Sequence, residues 1–515
     1  MQHNLRTALI HLKVEWAKPK ENREAILGLC EKAIQDGAKL MVSPEMGLSG
    51  YCFEDRDAIL PCTEPADGPT AVAISKLAKS HKVFIISAWA EIDKSTRMLY
   101  NSTFAFGPNG DLLSFYRKIN AESRWACPGH PRQENTFETP WGRAGLLICS
   151  DSYHSLPTRI TALKGANLLL LPANWPPTRH FPGSIWRFRA LENKLYVLAV
   201  NRSGVESNLD CSTGRSYVFG PKGECLLDKN TSESEVFLTD ILLDSNGKLP
   251  NIALQKDFFQ KRKPQEYYRV YSNLLFFKNL SQTLKLPTPG PQDTHFMATG
   301  KGLDPVDYLE RRLNSLLPEN LVILPRYNYT DSHKDRLINI SKEKELKILT
   351  AAKTPHGPIY WSVDKDLKTI TPATDNITPP IHVGPLVVGF VEMESMLHPE
   401  LAISYAKKGG DLLLAIEESL GPDDRFISSM RPIDQIAAAV VTQTGAVVAL
   451  VPEGHSPPRG AYAEEGFDIC YTLDSKEIRD KHFQDRMDFE VLFDNYYQSA
   501  GEQSKPENME QEKSA

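Results

Sequence analysis

Gly145-Leu146-Leu147-Ile148-Cys149-Ser150-Asp151 decides how the rest of this sequence folds. The run 145–148 has the length and composition of a buried strand, and it ends where the polar Ser150 and Asp151 begin. A residue at the carboxyl end of a central strand in an α/β sheet points into the crevice where such sheets bind ligands. If the turn after it opens a helix, Cys149 lies at that helix's N-terminus, which favours thiolate over thiol. A lone cysteine on an apolar strand is ordinarily a small buried hydrophobe. The residues around it decide whether Cys149 is more than that.

Outward from this run, apolar segments predict strands over 7–10, 39–43, 83–88, 99–106, 111–118, 168–171, 196–201 and 216–219. Helices are predicted over 22–34, where Ala25, Ile26, Leu29 and Ala33 share a face, and over 71–80. Gly107-Pro108-Asn109-Gly110 is a hairpin signal. Alternation of this kind gives an α/β class with layered sheets. The pattern then recurs. Leu40-Met41-Val42-Ser43-Pro44-Glu45 is echoed by Leu321-Val322-Ile323-Leu324-Pro325-Arg326, and 164–170 by 408–414. The stretch 196–200 is echoed by 447–451 with one slip. The order is kept while the offset drifts from 281 (321 against 40) to 244 (408 against 164), the mark of an internal repeat with a shortened second copy. Leu286-Pro287-Thr288-Pro289-Gly290-Pro291 reads as a stiff linker. The expected division is a first domain over 1–278, a Pro-rich linker over 279–293, a second domain over 294–497 and a disordered tail over 498–515, where aromatic residues are absent.

The 515 residues carry a net charge of -6, with 41% hydrophobic and 24% charged residues, an ordinary globular composition that offers nothing to a nucleic acid. No window of about 18 apolar residues predicts a membrane span, and 1–16 lacks the order of a secretory signal. Eight cysteines without CxxC or Cys/His spacing fit reduced thiols in a cytoplasmic protein, with no metal site expected. Neither GxxxxGK[ST] nor GxGxxG occurs, so no cofactor is expected.

Four residues sit where chemistry could use them. Glu45 follows the strand 39–43, Lys118 ends the strand 111–118, Glu122 comes four residues later, and Cys149 ends its own strand. Singly, Glu45 could cap a helix, Lys118 could be a solvated strand end and Glu122 a surface charge. The motifs around them, however, come as an ordered set. SPEMGLSGY around Glu45, FYRKIN around Lys118, AESRWACPG around Glu122 and GRAGLLICSD around Cys149 resemble the motifs of the nitrilase, or carbon–nitrogen hydrolase, superfamily. Arg189-Ala190-Leu191-Glu192-Asn193, Gly214-Arg215-Ser216 and Pro221-Lys222-Gly223 fit its later landmarks, so the resemblance covers about 5–275.

This resemblance implies a four-layer αββα sandwich. It implies Cys149 as the nucleophile, Glu45 as the base that relays its proton, Lys118 as an oxyanion donor and Glu122 as a residue positioning Glu45's substrate side or the water. It also implies substrate contacts from Asn174, Trp175, Ser150 and Tyr153. The second copy lacks the set. Arg326 stands for Glu45, the hairpin after Asp366 leads to Thr371-Pro372-Ala373 without a lysine, Val391 or Glu392 stands for Cys149, and no helix resembles Ala190-Leu191-Glu192-Asn193. It is therefore expected to be a catalytically dead sibling domain, paired with the first as an intrachain pseudo-dimer; further homo-oligomerisation is left open. The expected reaction is hydrolysis of a small non-peptide amide to acid and ammonia through a Cys149 thioester. Asp151 resembles the residue of the amidase and carbamoylase branches, whereas nitrilases of the superfamily tend to carry glutamate there, preceded by tryptophan. Ureido compounds and nitriles are the alternative substrates. A non-catalytic binding or scaffold protein is the alternative of another class.

Overall fold

Apolar runs alternating with amphipathic helices build four six-stranded mixed sheets. The computed structural model describes residues 3–176, 182–207, 209–250, 258–267, 269–270, 280–371, 378–453 and 456–480. The first sheet runs, edge to edge, Glu235–Leu242, Asn4–His11, Leu40–Val42, Phe84–Ile92, Leu99–Phe106 and Leu112–Arg117. The second runs Cys225–Asn230, Arg215–Phe219, Tyr196–Val200, Leu168–Pro172, Gly142–Leu146 and Thr136–Thr139. In each, the three central strands are parallel and the flanking ones antiparallel.

The two sheets face each other across a shared core that includes Leu9, Val42 and Ile86 from one and Leu146, Leu170 and Val197 from the other. The opposite face of the first sheet (Ala8, Ile10, Met41, Ile85) carries Ile26, Cys30 and Ala33 of the helix Pro19–Gln35 and Ile74 and Ala78 of the helix Pro69–His81. The helices Ser155–Leu163 and Pro182–Asn193 pack against the second sheet.

Two further sheets follow. One runs Asp468–Asp474, Pro291–Met297, Leu321–Ile323, Lys347–Thr354, Gly357–Asp364 and Asp366–Ile370; the other runs Gly460–Glu464, Gly445–Ala449, Ala437–Val441, Leu412–Ile416, Leu386–Val391 and Ile381–Val383. Their strand orders and directions reproduce those of the first pair. The register is reproduced too. Ala144 pairs with Leu168 and Val388 with Leu412, so both strands are displaced by 244 (388 − 144 and 412 − 168). Packing keeps the same offset. A Cβ on Gly145 would lie 2.2 Å from Thr161, and one on Gly389 would lie 2.4 Å from Tyr405, so only glycine lets either helix settle that closely on its strand.

Three sequence expectations need correction. The counterpart of Tyr196–Val200 is Ala437–Val441, which lies parallel to Leu412–Ile416 as the former lies parallel to Leu168–Pro172. The stretch 447–451 overlaps Gly445–Ala449 instead, the counterpart of Arg215–Phe219. Both strands are short buried Ala/Val runs, and such runs do not say which neighbour they pair with. Second, a helix does stand in the place of Pro182–Asn193: Asp424–Met430, continued by the turn Arg431–Asp434, follows an unrelated sequence. Third, a strand begins at Pro291, inside the Pro-rich stretch, its proline at the strand's first position where no ladder N–H is lost. The tail over 498–515 lies outside the described residues.

The core of the first sheet pair continues into the second half through Leu401, Ala402, Tyr405, Leu413 and Ala415. Helices Ser155–Leu163 and Pro182–Asn193 meet Pro399–Lys407 and Asp424–Met430 at this seam. Among the apolar contacts lie fully buried charges: Arg159, Arg189 and Glu192 from the first half, Glu400 and Arg431 from the second. Burial holds the His398 imidazole there down to about 3, and burial holds His11, between the first two sheets, down to about 4. Both rings are thus neutral when folded and take up a proton once unfolded below their ordinary value near 6.5. Stability should therefore fall as pH drops from about 6.5 to about 4, by roughly 3 kcal/mol per histidine at about 1.4 kcal/mol per pH unit. Denaturant midpoints measured between pH 7 and pH 4 test this; a flat profile would contradict it.

Candidate active site

Glu45 comes three residues after the first sheet's strand Leu40–Val42, and Lys118 directly follows its strand Leu112–Arg117, with its N–H still bonded to Asn101 O at 2.8 Å. Cys149 comes from the facing sheet, three residues past Gly142–Leu146. The two sheets thus deliver their carboxyl ends to one buried point. Glu45 Oε1 accepts from Lys118 Nζ at 2.7 Å and from Asn101 Nδ2 at 2.7 Å. Glu45 is 0% and Lys118 1% exposed. Glu45 Oε2 is buried with no N–H or O–H donor among the described residues, and the Glu45 carboxylate interacts directly with the Cys149 thiol.

Cys149 sits at φ +45°, a left-handed conformation that a side-chain-bearing residue adopts only where its surroundings impose it. The expected helix N-terminus is not there. Residues Cys149–Ser152 form one 3₁₀ turn and the helix starts at Ser155. Burial accordingly pushes the thiol well above its ordinary range; the Glu45 carboxylate adds to this, while Lys118 and a backbone hydrogen bond with Asn174 oppose it. Burial alone would lower Lys118, but Glu45 together with Tyr51, Cys149 and Asp151 outweighs it, and the ammonium is held well above its ordinary range. The resting site is a buried carboxylate–ammonium pair beside a thiol.

Several residues to which sequence reasoning gave no supporting role at the site hold this arrangement. Asp151 Oδ1 accepts from Asn120 N and Nδ2, both at 2.8 Å, and Oδ2 from Tyr116 Oη at 2.8 Å and Ile119 N at 3.2 Å. It therefore ties the cysteine turn to both sides of Lys118. Ser152 Oγ donates to Cys149 O at 2.6 Å and accepts from Trp186 Nε1 at 3.0 Å. Arg189 Nε and Nη2 donate to Ser152 O and Tyr153 O at 2.7 and 2.9 Å. Asp151 stood beside the nucleophile in sequence, yet only its burial identifies it as a tie.

Glu122 is not brought into hydrogen-bond contact with Glu45, Lys118 or Cys149. Its carboxylate pairs with Arg124 at 3.0 Å, which holds it below the usual carboxylate range. Asn174 and Trp175 are 5% exposed; Asn174 Nδ2 has no hydrogen-bond partner among the described residues, and Trp175 stands edge-on to Trp186 at 5.8 Å. Trp175 also lines a cavity of about 420 Å³ with Arg187, Asn201, Tyr217 and, from the second half, Phe426. Ser150 is half-buried. Tyr153 turns to a different cavity of about 240 Å³, shared with Ile185 and with Phe426, Met430 and Ile433 across the seam.

In the second half, Arg326 stands two residues beyond Leu324, as Glu45 does beyond Ser43, and pairs with Glu417 at 3.0 Å. The common offset of 244 puts Met393, not Val391 or Glu392, at the position of Cys149 (149 + 244). Its N–H donates to Glu417 Oε1 at 3.1 Å. One residue of slip went unseen because Phe390-Val391 and Leu146-Leu147 fit either alignment. Pro372, opposite the position of Lys118, lies outside the described residues. Among the described residues no group of His, Cys, Asp and Glu could hold a metal, and no helix is long and apolar enough to cross a membrane.

A family model for carbon–nitrogen hydrolases matches residues 6–251. A Pyrococcus abyssi protein named nitrilase is 29% identical over 270 residues, 52% of this chain and 100% of that protein. The Homo sapiens protein named omega-amidase NIT2 is 30% identical over 279 residues, 51% of this chain and 97% of that protein. The crystal structure of Saccharomyces cerevisiae Nit3, described as a member of branch 10 of the nitrilase superfamily, aligns with a TM-score of 0.43 at 23% identity, covering 50% of this chain and 94% of that one.

Proposed function

Because this chain belongs to the carbon–nitrogen hydrolase family, we propose that it hydrolyses a small non-peptide amide to a carboxylic acid and ammonia, with Cys149, Glu45 and Lys118 as its catalytic residues. The observation that carries this reading is the buried contact of all three, contributed by two facing sheets. The Cys149 sulfur attacks the carbonyl carbon while its proton passes to Glu45. Lys118 Nζ and the backbone N–H of Ser150 receive the oxyanion. Glu45 returns the proton to nitrogen as the C–N bond breaks, and ammonia leaves a thioester on Cys149. Water then attacks the thioester, Glu45 takes its proton, and the acid departs as the thiol re-forms. Asn174 Nδ2, buried without a partner among the described residues, would donate to the substrate, and Trp175 would wall its acyl side. Ser150 and Tyr153 are proposed as further substrate contacts. Glu122 would act from the rim on the incoming water. The relatives named nitrilase and omega-amidase support C–N hydrolysis; nitriles and ureido acids remain the competing substrates.

Residues 294–497 are proposed to be a degenerate, non-catalytic copy of the domain 1–278, folded against it as an intrachain pseudo-dimer. Identical strand order, and a shared register between Gly142–Leu146 and Leu168–Pro172 and their counterparts, support this. So does the Arg326–Glu417 pair in the place of the acid, with Met393 in that of the thiol.

Acid-quenched enzyme incubated with a panel of amides, ureido acids and nitriles, analysed by mass spectrometry, should carry an acyl adduct on the Cys149 peptide, and C149A should carry none. The adduct mass names the acyl group. No adduct from any compound, or an adduct on another cysteine, would overturn the reading.

A further inference from the structure

We propose that Arg431, supplied by the second half, is a positioning residue for the nucleophile of the first. This rests on the reading of Cys149 as that nucleophile. A residue held at φ +45° stays there only while its surroundings over-determine it. On the side away from the substrate, the turn Cys149–Ser152 is held through the carbonyls of Ser152 and Tyr153, both accepting from Arg189. Arg189 Nη1 is in turn paired with Glu192 Oε1. The other oxygen, Glu192 Oε2, accepts from Arg431 Nη1 at 3.0 Å. Arg431 also donates to Met396 O at 2.9 Å and to Ser155 Oγ at 3.2 Å, and pairs with Asp434, whose Oδ1 accepts from the same Ser155 hydroxyl at 2.6 Å. The second half thus grips the segment after Cys149 twice: at Ser152 and Tyr153 through Glu192 and Arg189, and at Ser155 directly.

Arg189, Glu192 and Arg431 are all 0% exposed, so water offers none of them a replacement partner. With Arg431 gone, Glu192 loses its balance between two guanidiniums, and it draws Arg189 toward itself and away from the carbonyls. In the folded protein the consequence is a misplaced sulfur. This gives the catalytically silent half a function in the reaction: it completes the support of a turn that the first half does not hold alone.

Alkylation of Cys149 by iodoacetamide reads the sulfur's placement without any substrate. The sulfur displaces iodide from carbon, and the thiol proton passes to Glu45. In full-length wild type, mass spectrometry should find Cys149 modified at least tenfold faster than the exposed Cys225 and Cys470. Arg431→Met should slow Cys149 at least tenfold and displace the pH profile of its alkylation, leaving Cys225 and Cys470 unchanged. Arg431→Lys, which keeps the charge with fewer arms, should lie between the two. Glu400→Gln, at the same seam but bonded to Arg159 and Arg262 and not to Arg189 or Glu192, should stay within twofold of wild type at a temperature where it is folded. If wild-type Cys149 is no faster than the exposed cysteines, the nucleophile reading fails and this proposal with it. If Cys149 is fast in wild type and equally fast in Arg431→Met, or equally slowed in Glu400→Gln, the positioning role alone fails. Should Arg431→Met not fold, Arg431→Lys decides: a rate equal to wild type overturns the proposal.

Discussion

Glu45→Gln is expected to lower turnover on any substrate of this enzyme by at least about a thousandfold while the protein remains folded. The substituted amide still presents an oxygen to Lys118 Nζ and Asn101 Nδ2, so the packing around it has no reason to change. It can no longer take a proton. Burial already pushes the Cys149 thiol well above its ordinary range, so almost none of it is thiolate at neutral pH unless a base removes the proton during attack. A positioned base contributes about 10²–10⁴-fold per step, and Glu45 is proposed to serve both thioester formation and its hydrolysis. The substitution also strips Lys118 of the largest of the charges that oppose its burial, so the ammonium's pKa moves down and its value as an oxyanion donor drops. The pH profile of Cys149 alkylation should change form as well. With no internal base, the rate should climb with hydroxide without a neutral plateau. Glu45→Gln retaining more than a tenth of wild-type turnover would contradict the assignment.

Much of this site was legible because strand ends are legible. Glu45, Lys118 and Cys149 each close an apolar run, and such runs mark where a sheet delivers side chains to its carboxyl edge. What the runs do not contain is pairing across the sandwich. Nothing in 145–151 says that Cys149 comes from the sheet facing Glu45 and Lys118, or that its φ is positive. The seam was less legible still. Glu192 and Arg431 are 239 residues apart and carry no periodicity relating them. Arg189 and Glu192 could be noticed only as part of a helix motif that fits the family's landmarks, whose charge makes sense once a second arginine is found across the seam. The misplaced strand 447–451 has the same origin, since an Ala/Val run fits any buried position.

The same seam should make Glu400→Gln the most destabilising conservative substitution in the molecule. Glu400 is 0% exposed, and its carboxylate meets Arg262 Nε at 2.8 Å and Arg159 Nη1 at 3.4 Å, both guanidiniums being buried with it. Burial works against its charged form, yet Arg159 and then Arg262 outweigh it and bring the carboxyl down to about 2. Glutamine keeps the shape and removes the carboxylate charge that meets both cations. Arg159 and Arg262, both from the first half, would lose the charge that Glu400 brings to them from the second, and breaking a buried pair in this way costs about 3–5 kcal/mol. The loss is large against the 5–15 kcal/mol that typically separates folded from unfolded protein. The pH dependence gives the signature. The stabilisation by Glu400 is complete above its unfolded value near 4.5 and is lost as pH falls through its folded value near 2. Wild type and Glu400→Gln should therefore differ fully in denaturant midpoint at pH 7 and converge as pH drops from 4.5. Equal midpoints at pH 7 would mean that this buried pair contributes nothing net, and that the apolar contacts such as Leu401 and Tyr405 and the other polar contacts of the seam hold the halves together without it.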